Sequence, residues 1–169
     1  MLVHNVLTGL GLRDRVRIIA SAKIISAFDM ARVFALGADT CNIGRGFMFS
    51  LGCIQAQACH TGHCPTGVTS QDPGRYKALH IEDKAKRVAA FHANTLNALS
   101  ETIGAAGQSH PSGLAPDHLM IRINSREVRS ARSQYDWIAP GELLEHDVAH
   151  PAFAKFWTMA RADSFAAAG

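Results

Sequence analysis

The sequence predicts an α/β fold, with short parallel strands joined by crossover helices, then a cysteine-bearing loop and a mostly helical C-terminal region. Three observations predict it. Over the first 50 residues, apolar positions switch between helical and strand spacing, and such alternation implies parallel strands with crossover helices. Gly44-Arg45-Gly46 breaks the second strand-like run. Cys53, Cys59 and Cys64 then crowd one glycine- and proline-bearing stretch.

In chain order, residues 3–12 carry Val3, Val6, Leu7 and Leu10 at helical spacing, weakened at the end by Gly9 and Gly11. The pattern begins immediately after Met1, where a natural domain seldom starts. Arg17-Ile18-Ile19-Ala20-Ser21 is a short apolar run that reads as a buried strand. Residues 26–36 return to helical periodicity, with Ser26 as N-cap, Asp29 as its capping-box partner and Gly37 at the C-cap;. Ala38 to Ile43 is the second strand. Residues 47–75 read as an irregular loop that needs something to organise it;. Residues 81–103 form the longest helical pattern, striped by Ile81, Ala85, Val88, His92, Thr95, Leu99 and Ile103 and ended by Gly104 and Gly107. His92 on that stripe reads as a packed or partly exposed histidine. Residues 108–117 are a turn-rich connector and Leu119 to Ile123 a short apolar segment. Asn124-Ser125-Arg126-Glu127 fits a capping box opening a short helix;. The region from Pro140 holds Pro151, an aromatic cluster of Phe153, Phe156 and Trp157 read as packing residues, and closing alanines at Ala166-Ala167-Ala168.

The 169 residues suit one domain by length, and 47% hydrophobic with 18% charged residues is the composition of a globular chain rather than a disordered one;. The net charge of +3 is mildly basic. Arg13, Arg15 and Arg17 form the one tight basic cluster, interrupted by Asp14; this reads as a solvated face, and no nucleic-acid partner is expected;. No run of about 18 apolar residues exists, so no membrane partner is expected. No charged region with an apolar core and cleavage site opens the chain, which argues against secretion and for a cytoplasmic location. Four cysteines are too few for a disulfide scaffold, and in the cytosol clustered cysteines more often bind metal;.

The spacing Cys53-x5-Cys59-x4-Cys64 matches neither the short paired knuckles of zinc sites nor the common ferredoxin runs;. It offers three thiolates on one loop, and soft charged sulfur suits iron. Three thiolates satisfy a three-iron cluster; a four-iron form needs a fourth ligand. Cys41, on the second strand, is the remaining cysteine and reads as a packed small residue. A mixed site using His60 or His63 with zinc, and free thiols, remain the alternatives on spacing alone.

Ser21-Ala22-Lys23 follows the first strand and Gly44-Arg45-Gly46 the second. In parallel α/β barrels, loops after the last two strands often bind a phosphate near a helix N-terminus. Glycine lets the backbone approach a ligand closely, and Lys23 and Arg45 supply positive charge. Taken alone, a G-x-G and a lysine are a weak signal.

The stretch GADTCNIGRGFMFSLGCIQAQACHTGHCPTGVTSQD (residues 37–72) resembles the end of the flavin-binding barrel of the glutamate synthase family, particularly its stand-alone domain proteins. The Cys-x5-Cys-x4-Cys-Pro-x-Gly-Val element carries the resemblance. VHNVLTGLGLRDRVRIIAS before it, with HPSGLAPDHLMIRI and PGELL after it, agree. The resemblance implies that residues 1–145 are the C-terminal part of such a barrel, contributing the last two strand–helix units of a (β/α)8 TIM barrel, with residues 146–169 a tail. It implies FMN and a 3Fe-4S cluster as cofactors. Cys53, Cys59 and Cys64 would be cluster ligands. Ser21, Ala22, Lys23, Gly44, Arg45 and Gly46 would lie at the FMN phosphate. The implied reaction condenses glutamine-derived ammonia with 2-oxoglutarate and reduces the product to glutamate. Its implied partners are a glutaminase domain or subunit and an electron donor, either ferredoxin or an NAD(P)H-dependent subunit.

The resemblance departs at Ala22, where relatives usually hold glycine; a positive φ there would cost alanine on the order of 1 kcal/mol. A (β/α)8 barrel typically needs about 250 residues, so the expectation is a redox-enzyme segment active within a longer or complemented chain. The alternative is a truncated, inactive fragment or a simple metal-binding module.

Overall fold

The helix–strand alternation of the first 50 residues is present in the structure, a computed structural model that describes residues 1–145 and 150–166, the side chain of Lys155 excepted. The described residues form two compact units. One comprises Ile19–Phe34 and Asp39–Leu114; the other draws on Met1–Ile18, Ala35–Ala38 and the region from Ala115 onward.

In the first unit, β1 (Ile19–Ala20) and β2 (Thr40–Cys41) pair in parallel, with Ile19 opposite Thr40 and Ala20 opposite Cys41. The connection is α2 (Ala27–Ala35). Its start follows the expected capping box: the Asp29 N–H donates to Ser26 Oγ at 3.2 Å, and the Ser26 N–H donates back to Asp29 Oδ2 at 3.1 Å;. The helix buries Ala27, Met30, Ala31 and Val33 beside Ile24, which is 1% exposed. One parallel pair with its crossover helix is the mixed α/β arrangement expected; it is not by itself a barrel.

Two expectations change after β2. Gly44-Arg45-Gly46 is not a loop but the opening turn of α3 (Gly44–Leu51), so residues 47–51 are helical too. The irregular segment proper begins at Gly52 and ends at the short α4 (Pro73–Tyr76), capped by Asp72, whose Oδ1 accepts the Gly74 N–H at 2.8 Å. The long α5 (Ile81–Ala105) is present, and its packed face keeps Val88, Thr95, Leu99 and Ile103 of the expected stripe but not the other three positions. Ile81 is 84% exposed, and Ala85 and His92 are exposed as well. The inward line is Val88, Phe91, Thr95, Leu99 and Ile103. Phe91 is packed where the stripe placed His92: it meets Phe47 of α3 edge-on with centroids 5.2 Å apart, a pairing that contributes about 1 kcal/mol beyond area burial. His92 stacks on the same Phe47 at 6.1 Å.

In the second unit, α1 (Leu2–Gly9) supplies Val6, and Leu10 beyond its end, to a core of Ile138, Leu143 and Phe153. Phe153 and Trp157 belong to α7 (Pro151–Trp157), so part of the expected aromatic cluster is packed, whereas Phe156 is 66% exposed. Residues 146–149 and the alanines Ala167 and Ala168 lie outside the described residues. Asn124 to Glu127 do not open a helix. They form the turn between β3 (Met120–Arg122) and β4 (Val128–Ser130), an antiparallel pair in which Ile121 faces Arg129. Asn124 Oδ1 accepts the Arg126 N–H at 2.9 Å, and the Ile123 N–H reaches the Glu127 carbonyl at 3.0 Å. The Asn and Glu side chains thus stabilise a turn with the spacing that a capping box also uses. The helix comes later, as α6 (Ala131–Gln134), with Ser130 as its cap. Among the described residues, no helix is long and apolar enough to cross a membrane.

Candidate cofactor site

Parallel pairing sends the chain out of β1 and β2 at the same end of the sheet, and the Asn42 N–H extends the ladder to the Ala20 carbonyl at 2.8 Å. Ser21, Ala22 and Lys23 leave one strand there, and Gly44, Arg45 and Gly46 follow the other. Ligands of parallel α/β sheets sit beyond the carboxyl ends of the strands. Ser21, Ala22, Lys23, Gly44 and Arg45 are all exposed, whereas Gly46 is buried. The left-handed residue of the first loop is Lys23, at φ 57°, and not Ala22. Alanine at position 22 therefore carries no strain of that kind.

The N-terminus of α3 has Ile43 as N-cap, with no side-chain cap. The first N–H groups of a helix lack intrahelical partners and carry partial positive charge, which favours an anion. The two glycines differ in role. A Cβ on Gly44 would meet nothing within 4 Å, so that backbone stands open to a ligand. A Cβ on Gly46 would lie 2.8 Å from both Ile43 Cγ2 and Phe91 Cζ, so Gly46 lets α3 seat against α5.

At its other end, α3 delivers the first cysteine. Gly52 adopts φ 107°, its N–H bonds to the Phe49 carbonyl at 2.9 Å, and the Cys53 N–H bonds to the Met48 carbonyl at 3.0 Å. This is a Schellman ending, and it fixes Cys53 relative to the helix. Gln55 and Gln57 then take left-handed conformations, at φ 57° and 56°. Each costs about 1 kcal/mol or more, a strain held by surrounding structure and concentrated at functional sites. Cys59 opens a single turn, Cys59–Thr61. Beyond Cys64 the chain folds back. The Gly67 N–H bonds to the Cys64 carbonyl at 3.2 Å, and the Ser70 hydroxyl donates to the Gly62 carbonyl at 2.6 Å. Gly67 sits at φ 77°, and a Cβ there would strike the Arg75 backbone, so no other residue fits the return;.

The result is one pocket bordered by Cys53, Cys59 and Cys64, with Met48, Thr66 and Thr69 beside them. The three differ in access: Cys59 is exposed, Cys53 half-buried and Cys64 buried. The Cys64 thiol is lowered to about 6. The largest cause is the Thr66 hydroxyl, whose oxygen lies 3.5 Å from Sγ; the Thr69 backbone comes next, with burial opposing both. A thiol already ionised at neutral pH is a ready ligand for soft metals.

Cys41 is elsewhere. It borders a separate cleft of about 550 Å³ with Met30, Gly44, Phe47 and Phe91, and burial pushes its thiol up. His60 and His63 are exposed and do not border the cysteine pocket. Among the described residues, no three Cys, His, Asp or Glu side chains converge on one point as the ligands of a single ion would. A multi-iron cluster does not ask for that convergence, because each thiolate goes to its own iron. The donor set suits such a group in a second respect: the Thr69 hydroxyl, on the pocket wall, is buried without a hydrogen-bond partner. Sequence reasoning passed over Thr66 and Thr69. Their signal was only their place two and five residues beyond Cys64.

The model of the conserved region in glutamate synthase matches residues 1–109. The chain is 40% identical over 121 residues to the glutamate synthase large subunit-like protein YerD of Bacillus subtilis, covering 72% of this chain and 23% of that one. It is also 40% identical over 121 residues to an archaeal glutamate synthase (NADPH) of Methanocaldococcus jannaschii, covering 70% and 24%. The glutamate synthase (NADPH) large chain of Azospirillum brasilense is 31% identical over 127 residues, 69% of this chain and 8% of that one. The chain spans about a quarter or less of the length of these relatives.

Proposed function

The chain belongs to the glutamate synthase family, and on that premise we propose that it is the segment of a flavin and iron–sulfur oxidoreductase that holds a 3Fe-4S cluster and the phosphate of FMN. The observation that supports this most is that Cys53, Cys59 and Cys64 border one pocket while Cys41, His60 and His63 do not. In this reading the three thiolates each take one iron. The open N–H groups of Gly44 and Arg45 receive the FMN phosphate at the start of α3, with Lys23 and Arg45 balancing its charge and Ser21 donating a hydroxyl. Gly46 acts by letting α3 pack.

If bound there, FMN would supply hydride chemistry for reducing the imine formed from 2-oxoglutarate and glutamine-derived ammonia, and the cluster would supply its electrons. Both groups would depend on α3, whose N-terminus follows β2 and whose C-terminal turn fixes Cys53. In this reading the contacts to 2-oxoglutarate, to the glutaminase partner and to the electron donor, ferredoxin or an NAD(P)H-dependent subunit, are made outside this chain. The chain by itself is read as binding cofactors without making glutamate.

The test is anaerobic loading of the chain with iron, sulfide and FMN, followed by metal analysis and a flavin fluorescence titration. The expected outcome is iron and sulfide bound in a folded chain, and FMN fluorescence that changes to saturation. Zinc in place of iron, or a flat flavin titration, contradicts the corresponding half of the proposal.

A further inference from the structure

We propose that the Thr69 hydroxyl, together with that of Thr66, donates hydrogen bonds to the sulfur of Cys64 and to the iron–sulfur group held there, and so sets the reduction potential of that group. The inference rests on the cluster reading above. It starts from an unexplained cost. Thr69 Oγ1 is buried with no hydrogen-bond partner, one of two such side-chain atoms among the described residues. A buried hydroxyl left unpaired costs roughly 1–3 kcal/mol, and native proteins keep few of them. Thr69 and Thr66 both border the pocket of the three cysteines. The Thr69 hydroxyl already lowers the Cys64 thiol as the weakest of its causes, and a sulfur-rich group there gives it an acceptor at full hydrogen-bond distance.

The backbone holds both hydroxyls on that side. The Gly67 N–H bonds to the Cys64 carbonyl at 3.2 Å and the Ser70 N–H to the Gly67 carbonyl at 3.4 Å. The Ser70 hydroxyl, on a residue 7% exposed, anchors the return on Gly62. Thr66 Oγ1 lies 3.5 Å from Cys64 Sγ. Once Cys64 is a thiolate ligand its sulfur has no proton to give, so the threonine must be the donor. A reduced cluster carries one more negative charge, spread over its sulfurs. Hydroxyl donors therefore favour the reduced form and raise the potential. Thr69 is a positioning residue in this sense: it acts on the redox partner, not on substrate.

The experiment is an EPR-monitored redox titration of the full chain after anaerobic cluster loading, comparing wild type, T69V and T69S. T69V keeps the shape and removes the hydroxyl; T69S keeps the hydroxyl. The expected result for T69V is an about tenfold lower reduced-to-oxidised ratio at fixed ambient potential, a shift of about 59 mV to the negative for a one-electron couple, with T69S at the wild-type value. An unmoved T69V, or a T69S shifted equally, overturns this proposal while leaving the cluster reading intact. A folded wild-type chain that takes up no cluster overturns both. Should T69V hold no cluster, pulsed EPR of the wild-type chain exchanged into deuterated water decides: loss of a proton coupling at the cluster is expected, and its absence overturns the assignment.

Discussion

At Cys64 the thiolate is favoured by the Thr66 hydroxyl first and the Thr69 backbone next, against burial, and the group titrates at about 6 instead of 9.0. The consequence for stability has a definite sign. Between about pH 6 and pH 9 the unfolded thiol holds a proton that the folded one has released, so unfolding takes up a proton and stability rises with pH across that window. The contribution is complete above the unfolded value and lost as pH falls through the folded one. In the metal-free, reduced chain, urea midpoints are expected to climb from pH 6 to 9 more steeply in wild type than in C64S; parallel curves contradict it. At this scale the sequence was most legible where residue type alone carries the chemistry. Three thiols crowded in one loop were visible as candidate ligands, and they border one pocket. That Cys41 stands apart was expected from its strand position. The place of Thr69 on the pocket wall was not visible, because a threonine a few residues beyond a cysteine has no distinctive pattern. Only the return at Gly67 and Ser70 sets its hydroxyl against the pocket.

Helices and strands were legible where their determinants are local. The box of Ser26 and Asp29 is an example. Ser26 contributes its hydroxyl as cap, and its backbone N–H is the largest cause holding the Asp29 carboxyl below its usual range. S26A is expected to lower stability by about 1 kcal/mol, read as a lower urea midpoint at unchanged slope; an unchanged midpoint contradicts the capping role. Elements were misread where the deciding contact is distant or the pattern ambiguous. Along α5 the stripe holds at Val88, Thr95, Leu99 and Ile103, but Phe91 and not the exposed His92 meets Phe47 of α3 edge-on, a choice no local pattern contains. Asn124 and Glu127 have capping-box spacing, yet pairing of β3 with β4 uses them as a turn. Gly44 and Gly46 read as loop residues because glycine disfavours helix interiors; at the first turn of α3 one of them is required by packing and the other leaves open backbone.

For the molecule as a whole, the parallel pair is the feature that points beyond the chain. Parallel sheets are usually covered on both faces, but Ile19 of β1 is 62% exposed. With the chain spanning about a quarter of the length of the Bacillus subtilis and Methanocaldococcus jannaschii relatives, this exposure agrees with a segment of a larger sheet. Such an edge also invites aggregation. The site nevertheless lies within a single compact unit, so cofactor binding can be examined on the chain as it stands. In the proposed reading, Cys53, Cys59 and Cys64, and not Cys41, together hold a three-iron cluster. Low-temperature EPR of the anaerobically loaded, oxidised chain tests it most directly, with C41A and C59A beside wild type. A three-iron signal is expected in wild type and C41A, and its loss in C59A. A signal that survives in C59A, disappears in C41A, or never forms in a folded wild-type chain would contradict it.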